Sequence, residues 1–486
     1  MPPFHHHLKY AEWAREYGPL VTVMRGSHPQ VIVSSPQAAR DIFDKMGTIT
    51  ASRPPSYLMN DVAANGYSMG FAPNHDYWRL ARRLFHSILN VGATKQYIPF
   101  QELETTKLLV DLLADPVDYR RHIFRYSNSV GLLLTSGRRA PTADDPDIKE
   151  VRENFDEYAS LQLRGSLPDY FPMLRQLPDW VFPSIRRARE HCVKDAKIAL
   201  KHFLPCKDSS SALPSFNRSL AEKQEKEGFD DIMGARMGLD LLTAATDTTS
   251  HTLINLIAAL ACFPEVQRKA HEEMDRVVGP DRVPNANDMS TLPYVRQVVQ
   301  ELHRWSSVTP FGLPHSSTQD ITYDGYKIPA GSILIINAHF IHNDPSTYED
   351  PRAFRPERWE GKLQDVKEDS VGARSELFTF GAGRRICPGQ HLAERNLFLT
   401  VSKIIWASDI SKKTENGKEI PIDTEEYTPG GVISLAPYPV DIKPRSRARL
   451  DVLRREWQTG REEFLDENEQ WEKVTPGLEE LMRRVK

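Results

Sequence analysis

The feature that most constrains the fold is a run at residues 232–263 in which nearly every residue is apolar or small. This length predicts a single helix, and a helix that is apolar on all sides must be buried inside a large protein. Asp247 and Thr248 lie inside the run, and burying an unpaired carboxylate is costly. Taken alone, Thr248 could simply bond back to its own helix. The run therefore predicts a large helical core with a carboxyl group in it.

The rest of the chain predicts a mainly α protein with small β-sheets, because helical patterns outnumber short alternating strands. Further helices are predicted at residues 8–17, 75–90, 101–113, 122–136, 184–204, 265–278, 294–306 and 391–408. Strands are predicted at residues 20–24, 31–34, 321–323, 326–328, 332–336, 432–435 and 440–442. The segments without a regular pattern are an irregular loop, an exposed Ser-rich linker and a charged, partly helical, peripheral tail, at residues 53–73, 207–228 and 445–486.

Charge and cysteine content exclude several classes of protein. Lys plus Arg is 62 and Asp plus Glu is 66, so the net charge of −4 offers no global basic excess for nucleic acid. The 4 cysteines form no C-x-x-C pair, so any cysteine chemistry belongs to one thiol in a reducing compartment. No apolar run has the length of a membrane span, and the first residues do not form a signal peptide.

The segment with the strongest chemical signal is residues 380–389, which places three glycines and two arginines around Cys387. Gly381 and Gly383 permit a tight turn and the close approach of a flat ligand. The arginines and the start of the next helix would lower the pKa of the Cys387 thiol. The alternative interpretation is a glycine-rich hairpin that contains an ordinary buried cysteine.

At this point the chain resembles the cytochrome P450 haem-thiolate monooxygenases, and residues 380–389 resemble their cysteine-ligand signature. Glu301 and Arg304 match the Glu-x-x-Arg motif of the family, and Arg358 follows in its Pro-Glu-Arg-Trp segment. The wording of these motifs is similar to eukaryotic microsomal members, fungal in style. The resemblance implies the P450 fold, with a long buried central helix over a haem and the cysteine loop on its proximal side. It covers roughly residues 8–445, which implies a P450 domain at 1–445 and a tail at 446–486.

The same resemblance implies roles for individual residues. Cys387 would be the iron ligand of haem b, and its thiolate would favour O–O cleavage. Asp247 and Thr248 would be catalytic in proton delivery, although Ala245 stands where the family has glycine. Glu301, Arg304 and Arg358 would form a structural cluster. Further haem-contacting residues would be Trp78, Arg82, His315, Phe380, Gly381 and Arg385.

The implied activity is an oxidoreductase that inserts one oxygen atom from O2 into a small-to-medium hydrophobic or aromatic substrate, in fungal secondary metabolism. No flavin or nicotinamide motif is present, so electrons would come from NADPH-cytochrome P450 reductase, with cytochrome b5 as a second donor. The residues that the family uses to line its pocket correspond here to Tyr67, Met69, Leu242, Ala244, Val308, Phe311 and Val432.

Two alternatives stay open at this stage. One is a haem-thiolate isomerase, dehydratase or peroxygenase, which the intact Asp247 and Thr248 pair argues against. The other is a truncated, non-catalytic haem-binding remnant, suggested by a chain that starts almost at the first family helix. The resemblance implies the endoplasmic reticulum membrane. For the chain as written, which has no N-terminal anchor, we expect at least partly cytoplasmic protein.

Overall fold

Helices dominate the computed structural model, which describes residues 5–164, 166–208, 213–363 and 377–472. The long helices in chain order are α1 (His6–Tyr17), α2 (Asp76–Leu89), α3 (Ile98–Ala114), α4 (Tyr119–Ser136), α5 (Pro146–Arg164), α6 (Pro183–Asp208), α7 (Phe216–Glu227), α8 (Asp231–Cys262), α9 (Pro264–Val277), α10 (Pro293–Trp305), α11 (Gln390–Ala407) and α12 (Arg447–Phe464). The α-class prediction is therefore confirmed.

Short strands form four small sheets. In chain order they are β1 (Leu20–Arg25), β2 (His28–Val33), β3 (His315–Ser316), β4 (Ile321–Tyr323), β5 (Tyr326–Ile328), β6 (Ile333–Ile336), β7 (Ser408–Lys412), β8 (Thr414–Glu415), β9 (Lys418–Glu419) and β10 (Val440–Pro444). The largest sheet has the order β1-β2-β6-β3, with β2 parallel to β6, and the others pair β10 with β7, β4 with β5 and β8 with β9. The strand predicted at residues 432–435 is wrong, since only an isolated bridge joins Tyr427 to Leu435 there.

The central helix α8 runs through the main hydrophobic core, as its apolar sequence predicts. Asp230 caps its start by accepting a hydrogen bond from the Met233 amide at 2.8 Å, and the helix ends just before Pro264. On one side it packs closely against α4, where a Cβ on Gly131 would lie 3.0 Å from Leu242 Cδ1. The candidate active site lies along one face of this helix.

The exposed linker predicted at residues 207–228 is wrong for the part that the structure describes. Helix α7 begins at Phe216 after the Ser215 cap, and Phe216 and Leu220 are buried one turn apart. Gly238 of α8 allows this close approach, because a Cβ there would lie 2.0 Å from Asn217 Oδ1. Two apolar residues at i and i+4 are enough to dock a short, otherwise charged helix.

The C-terminal segment is not peripheral in the part up to residue 472. Leu453 of α12 is fully buried, and the Trp471 ring packs edge-on against Phe100 of α3 at 4.6 Å. Gln470 Nε2 donates to the Arg139 carbonyl oxygen at 3.0 Å. The segment is mostly charged, but Leu453 and Trp471 are buried, and composition alone does not reveal such single buried residues. The last part of the predicted tail, residues 473–486, lies outside the described residues.

Two further regions differ from the sequence predictions. The segment 53–73, predicted as an irregular loop, contains a π-helix at Tyr57–Ala63, and α5 at Pro146–Arg164 was not predicted. The π-helix is a short element that is buried apart from Tyr57 and Asp61, and α5 is rich in charged residues, which weakens its hydrophobic signal. Across the described ranges, no helix combines the length and the apolar content that crossing a membrane requires.

Candidate active site

A stripe of accessible residues interrupts the buried surface of α8. Ala244 is exposed although it lies midway along this helix, and Asp240, Asp247, Thr248 and His251 are half-buried, whereas most of their neighbours are buried. These positions recur every three to four residues, so they share one face of the helix. An exposed alanine at the centre of a buried helix indicates an internal cavity beside it.

Asp247 and Thr248 lie side by side on this stripe. The Thr248 hydroxyl donates to the Ala244 carbonyl oxygen at 3.0 Å, and its oxygen can still accept a hydrogen bond. Burial raises the pKa of Asp247 to about 7, against the opposing effect of the Arg152 cation. A carboxyl group with a pKa near neutrality can both hold and release a proton at physiological pH. His251, one turn further, bonds through Nδ1 to the Asp247 carbonyl oxygen at 2.7 Å.

The loop that carries Cys387 is a tight hairpin. The Cys387 amide donates to the Phe380 carbonyl oxygen at 2.9 Å, and the Gly381 amide donates to Phe378 at the same distance. Gly381 has φ of 76° and Gly383 has φ of 63°. A Cβ on Gly383 would lie 2.0 Å from the Phe43 carbonyl oxygen, so only glycine fits there. The backbone conformation therefore explains why Gly381 and Gly383 are glycines.

The Cys387 side chain is half-buried at the start of α11. Burial raises the pKa of its thiol, while a hydrogen bond from the Gly389 backbone and the nearby Arg82 cation lower it. Burial outweighs both of these effects, so the pKa of the thiol is raised overall and the predicted lowering is wrong for the described chain. Across the described part of the chain, no three His, Cys, Asp or Glu side chains gather into a metal site. The thiol therefore stands as a single candidate ligand.

Four cationic or N–H donor side chains gather near this loop. The Arg385 guanidinium stacks over the Trp78 ring, with Cζ at 3.9 Å from its centroid. Arg385 donates to the carbonyl oxygens of Ala51 and Ala72, at 2.7 and 2.8 Å. Its Nη1 and the Trp78 Nε1 are buried without a partner among the described residues. Burial, Arg53 and Arg82 lower the pKa of Arg385 to about 8.

Arg82 and His315, the other two members of this group, also have ring or guanidinium nitrogens without a partner among the described residues. In the described ranges, no hydrogen-bond partner faces the Arg82 guanidinium, and Cys387 is the one anionic group that raises its pKa. His315 Nδ1 donates to the Thr50 carbonyl oxygen at 2.9 Å, which leaves Nε2 for another contact. We call Trp78, Arg82, His315 and Arg385 the open cluster. It has the electrostatics of a site for a carboxylate ligand.

Glu301, Arg304 and Arg358 come together in a second cluster, with Trp359 beside them; we call it the closed cluster. Arg304 donates to both Glu301 oxygens at 2.9 and 2.7 Å, and Arg358 Nε lies 3.4 Å from Oε1. Trp359 Nε1 donates to Oε2 at 3.0 Å. Glu301 and Arg304 are fully buried. The motif spacing of one helical turn correctly predicted that these side chains would pair.

The predicted pocket residues divide into several places. Leu242 is corrected: it is fully buried against Gly131 of α4, because it lies two residues from Ala244 and so on the opposite face of α8. Phe311 packs near α1, with its ring 6.1 Å from that of Tyr10. Val308 is buried, and its carbonyl oxygen accepts from the Ile433 amide at 2.8 Å, which brings the Val432 turn beside it. Phe380 lies edge-on to the His303 ring at 5.2 Å.

Tyr67 and Met69 lie beside a residue that sequence reasoning missed. The Met69 amide donates to Asp240 Oδ2 at 2.6 Å, and the Tyr67 ring is 5.3 Å from that of Tyr77. Asp240 is on the accessible stripe, two turns before Thr248. The available signal was an acidic residue in phase with Asp247 within an apolar helix. Arg53, also missed, donates to Gly70, Leu313 and Pro314 carbonyl oxygens at 2.8–2.9 Å.

Comparison with known proteins gives concordant results. The family model described as Cytochrome P450 matches residues 4–441. The chain is 43% identical to the cytochrome P450 monooxygenase alnH of Emericella nidulans, over 99% of this chain and 88% of that protein. It is 38% identical to the cytochrome P450 monooxygenase virE of Hypocrea virens, over 98% and 88%.

A solved structure agrees with these sequence matches. A zebra fish cytochrome P450 crystallised with progesterone superposes with a TM-score of 0.75 at 25% identity, covering 91% of this chain and 100% of that chain. Members of the family carry a haem-thiolate cofactor and generally receive electrons from partner reductases. With the family model and the aligned monooxygenases extending over nearly its whole length, this chain belongs to the cytochrome P450 family of haem-thiolate monooxygenases.

Proposed function

We propose that the cavity beside α8 binds haem b through the Cys387 thiolate and oxidises a small-to-medium hydrophobic or aromatic substrate. The observation that carries this proposal is the open cluster, in which Trp78 Nε1 and Arg385 Nη1 are buried without an acceptor. Buried donors in native proteins are nearly always paired. A bound group with carboxylates explains why these two are not.

The residues present fit a haem. Cys387 supplies one soft sulfur ligand, and the Gly389 backbone bond together with Arg82 favours its thiolate form. Trp78, Arg82, Arg385 and His315 would hold the propionates, which would neutralise cations that otherwise depress one another's pKa. Phe380 and Gly381 would support the loop, since Gly381 adopts a backbone conformation that a side chain would strain. The donor set thus matches both ends of the cofactor.

The catalytic roles follow from the stripe on α8. The bound haem-thiolate supplies the activation of O2 and the insertion of one oxygen atom into the substrate. Asp247 would take a proton from solvent and release it into the cavity, because its pKa lies near 7. Thr248 would accept that hydrogen bond at its hydroxyl oxygen while donating to Ala244. Ala245, which replaces a glycine, is half-buried and keeps this part of the helix surface small.

The partners we propose are NADPH-cytochrome P450 reductase, with cytochrome b5 as a second donor, and a hydrophobic small molecule. Arg79 and Arg83 of α2 are exposed, and Arg384 is exposed on the cysteine loop. Each already has a local contact, such as the Arg83 Nη2 to Glu227 Oε2 pair at 2.5 Å. Their shared cationic character would steer an acidic flavoprotein towards the Cys387 side.

We propose an endoplasmic reticulum membrane location, because eukaryotic members of this family are often associated with that membrane. We also propose a place in fungal secondary metabolism, which the fungal origin of the aligned monooxygenases supports. Among the predicted pocket residues, Met69, Ala244, Val308 and Val432 stay assigned to the substrate, together with Tyr67. Their apolar and aromatic character suits a hydrophobic substrate.

The experiment that tests the proposal is the substitution Cys387→Ser. Serine is a hard, poor ligand that cannot supply thiolate character, so we expect complete loss of the thiolate spectrum of the reduced, carbon monoxide-treated protein. Cys262→Ser is the matched control, because Cys262 is half-buried at the end of α8 and should leave the spectrum unchanged. A thiolate spectrum that survives Cys387→Ser and disappears in the control contradicts the proposal.

A further inference from the structure

Among the described residues, only one of the two oxygens of the Asp240 carboxylate accepts a hydrogen bond. Its Oδ2 accepts from the Met69 amide at 2.6 Å, and across the described ranges no other residue donates a hydrogen bond to this side chain. The side chain is half-buried, on the same accessible stripe of α8 as Ala244 and Thr248. Burial nevertheless raises its pKa to about 7. An atom that is deep in the protein and yet accessible borders a cavity.

The nearest cation is already occupied elsewhere. Arg236, one turn before Asp240, pairs with Asp195 and donates to the Cys192 carbonyl oxygen at 2.8 Å. Asp195 also accepts from Asn154 Nδ2 at 2.7 Å. Within the described residues, no ion pair reaches Asp240 itself. Asp195 raises the pKa of Asp240 and Arg236 lowers it, so the ion pair between them adds little net charge beside Asp240.

A second unpartnered polar group lies in the same place. Tyr77 is 9% exposed, and its hydroxyl is buried without a partner in the described part of the chain. Asp240 is among the causes that raise the pKa of Tyr77, after burial, which places the two groups in electrostatic contact. Tyr67 packs against the Tyr77 ring at 5.3 Å. A carboxylate and a buried phenol, both short of partners, thus lie near each other beside a pocket whose other predicted residues are mostly apolar.

We propose that Asp240 is a specificity-determining residue that accepts a hydrogen bond from an uncharged hydroxyl group of the substrate. The inference rests on the proposed function, since it takes the cavity beside α8 as the substrate pocket. Eight residues separate Asp240 from Thr248, which is about 12 Å along the helix at ~1.5 Å per residue. The hydroxyl therefore lies at the end of the substrate remote from the carbon that is oxidised.

The choice of a hydroxyl donor follows from the chemistry of the site. A wholly apolar ligand would strip water from Asp240 and leave its second oxygen without a donor, which is costly for a buried carboxylate. An ammonium group would lose its hydration in a pocket whose other predicted residues are mostly apolar. An uncharged hydroxyl supplies a donor to Asp240 without that cost.

The experiment uses the haem-loaded protein and a series of 1-octylimidazole probes whose chain ends in methyl, methoxy, hydroxyl or amino. The imidazole binds the haem iron, and its dissociation constant is read from the absorption difference spectrum, so no turnover is needed. In the natural chain at about pH 8.5, where Asp240 with its pKa of about 7 is ionised and can only accept, the hydroxyl probe should bind about 10-fold more tightly than the methyl and methoxy probes. The amino probe should bind no better than the methyl probe.

Two variants make the assignment residue-specific. Asp240→Asn keeps an acceptor for the Met69 amide but presents an N–H₂ donor, so the methoxy probe should gain on the hydroxyl probe until their affinities are within about 2-fold. Asp231→Asn, the same substitution in the first turn of α8, should leave the ranking unchanged.

Each outcome bears on a distinct statement. The inference is overturned if the four probes bind with equal affinity, if the amino probe binds most tightly, or if the ranking is unchanged in Asp240→Asn. In each of these cases a thiolate spectrum of the natural chain still supports the proposed function. Absence of a thiolate haem spectrum in the natural chain overturns the proposed function, and with it this inference.

Discussion

The closed cluster and the open cluster each contain two arginines and one tryptophan, and they differ in the fourth side chain, which is Glu301 in the closed cluster and His315 in the open cluster. In the closed cluster, the two oxygens of Glu301 receive hydrogen bonds from Arg304 and Trp359. In the open cluster, Arg385 stacks on Trp78, and no carboxylate of the described chain accepts from either side chain. In the closed cluster, arginine and tryptophan donate to a carboxylate of the chain itself, whereas in the open cluster they keep unpartnered donors, which we propose bind the carboxylates of a ligand.

The two clusters also show that the spacing of a motif does not tell whether its side chains are paired within the protein. Glu-x-x-Arg and Trp-x-x-x-Arg have similar spacing on α10 and α2, and each could describe a solvated surface pair. Burial and partner count decide between them. Arg304 is fully buried and donates to Glu301 and to the His342 and Ala353 carbonyl oxygens. Arg82 is half-buried with no such partners in the described residues.

The largest expected effect is that of Glu301→Ala. This change leaves Arg304 as an uncompensated buried charge, so we expect the free energy of unfolding to fall by about 3–5 kcal/mol, with little stable haem-loaded protein. Urea unfolding followed by circular dichroism measures it. Glu349→Ala is the control, because Glu349 pairs with Arg355 on the surface at 3.3 Å and should cost less than about 1 kcal/mol. Equal stability of the two variants would show that the closed cluster does not stabilise the fold.

A matched pair of substitutions tests the comparison directly. Trp359→Phe and Trp78→Phe remove the same atoms, but only Trp359 Nε1 donates to a protein carboxylate. We expect Trp359→Phe to lower the free energy of unfolding by about 1–3 kcal/mol. Trp78→Phe should leave unfolding nearly unchanged and raise the rate of haem transfer to an acceptor protein about 10-fold. The comparison fails if Trp78→Phe destabilises the chain as much and leaves haem transfer unaltered.

The long apolar helix, the strands β1 and β2 and the Cys387 loop could be predicted because their signals are local. A buried helix must be apolar on all sides, and glycines such as Gly381, with φ of 76°, permit the tight turn of the Cys387 loop. The pairing of Glu301 with Arg304 follows from one helical turn. These features need no knowledge of distant partners.

The features that were missed depend on contacts far apart in sequence. Helix α7 packs through Phe216 against Phe85 of α2 and through Asn217 against Gly238 of α8, and because only the fold creates these contacts, its charged sequence predicts a linker. Leu242 was assigned to the pocket because the family lines its pocket with this helix, and that resemblance does not say which face of the helix meets the cavity. Asp240 was missed although it is in phase with Asp247, because its backbone partner Met69 is 171 residues away in the chain.

The smallest expected effect concerns the half-buried carboxyl group of Asp247, which lacks hydrogen-bond partners like those of Glu301. Burial raises its pKa to about 7 in the folded chain, above the ordinary value of 3.8. The folded state therefore holds this proton more tightly than the unfolded state does. The stability from this proton is fully present below about pH 4 and is lost as the pH rises through about 7.

Asp247→Asn removes this titration, because asparagine stays uncharged. Relative to the natural chain, the variant should gain stability between pH 5 and pH 8, measured as the difference in urea midpoint at each pH. The gain should be smaller than the loss in Trp359→Phe, since Asp247 is half-buried and solvent moderates its charge. Asp231→Asn should show a constant difference, because the hydrogen bond from Lys207 lowers the pKa of Asp231 and keeps it ionised at both pH values. A gap for Asp247→Asn that stays constant, or narrows towards pH 8, would mean that this carboxyl is already ionised at pH 5 and cannot hold the proton we assign to it.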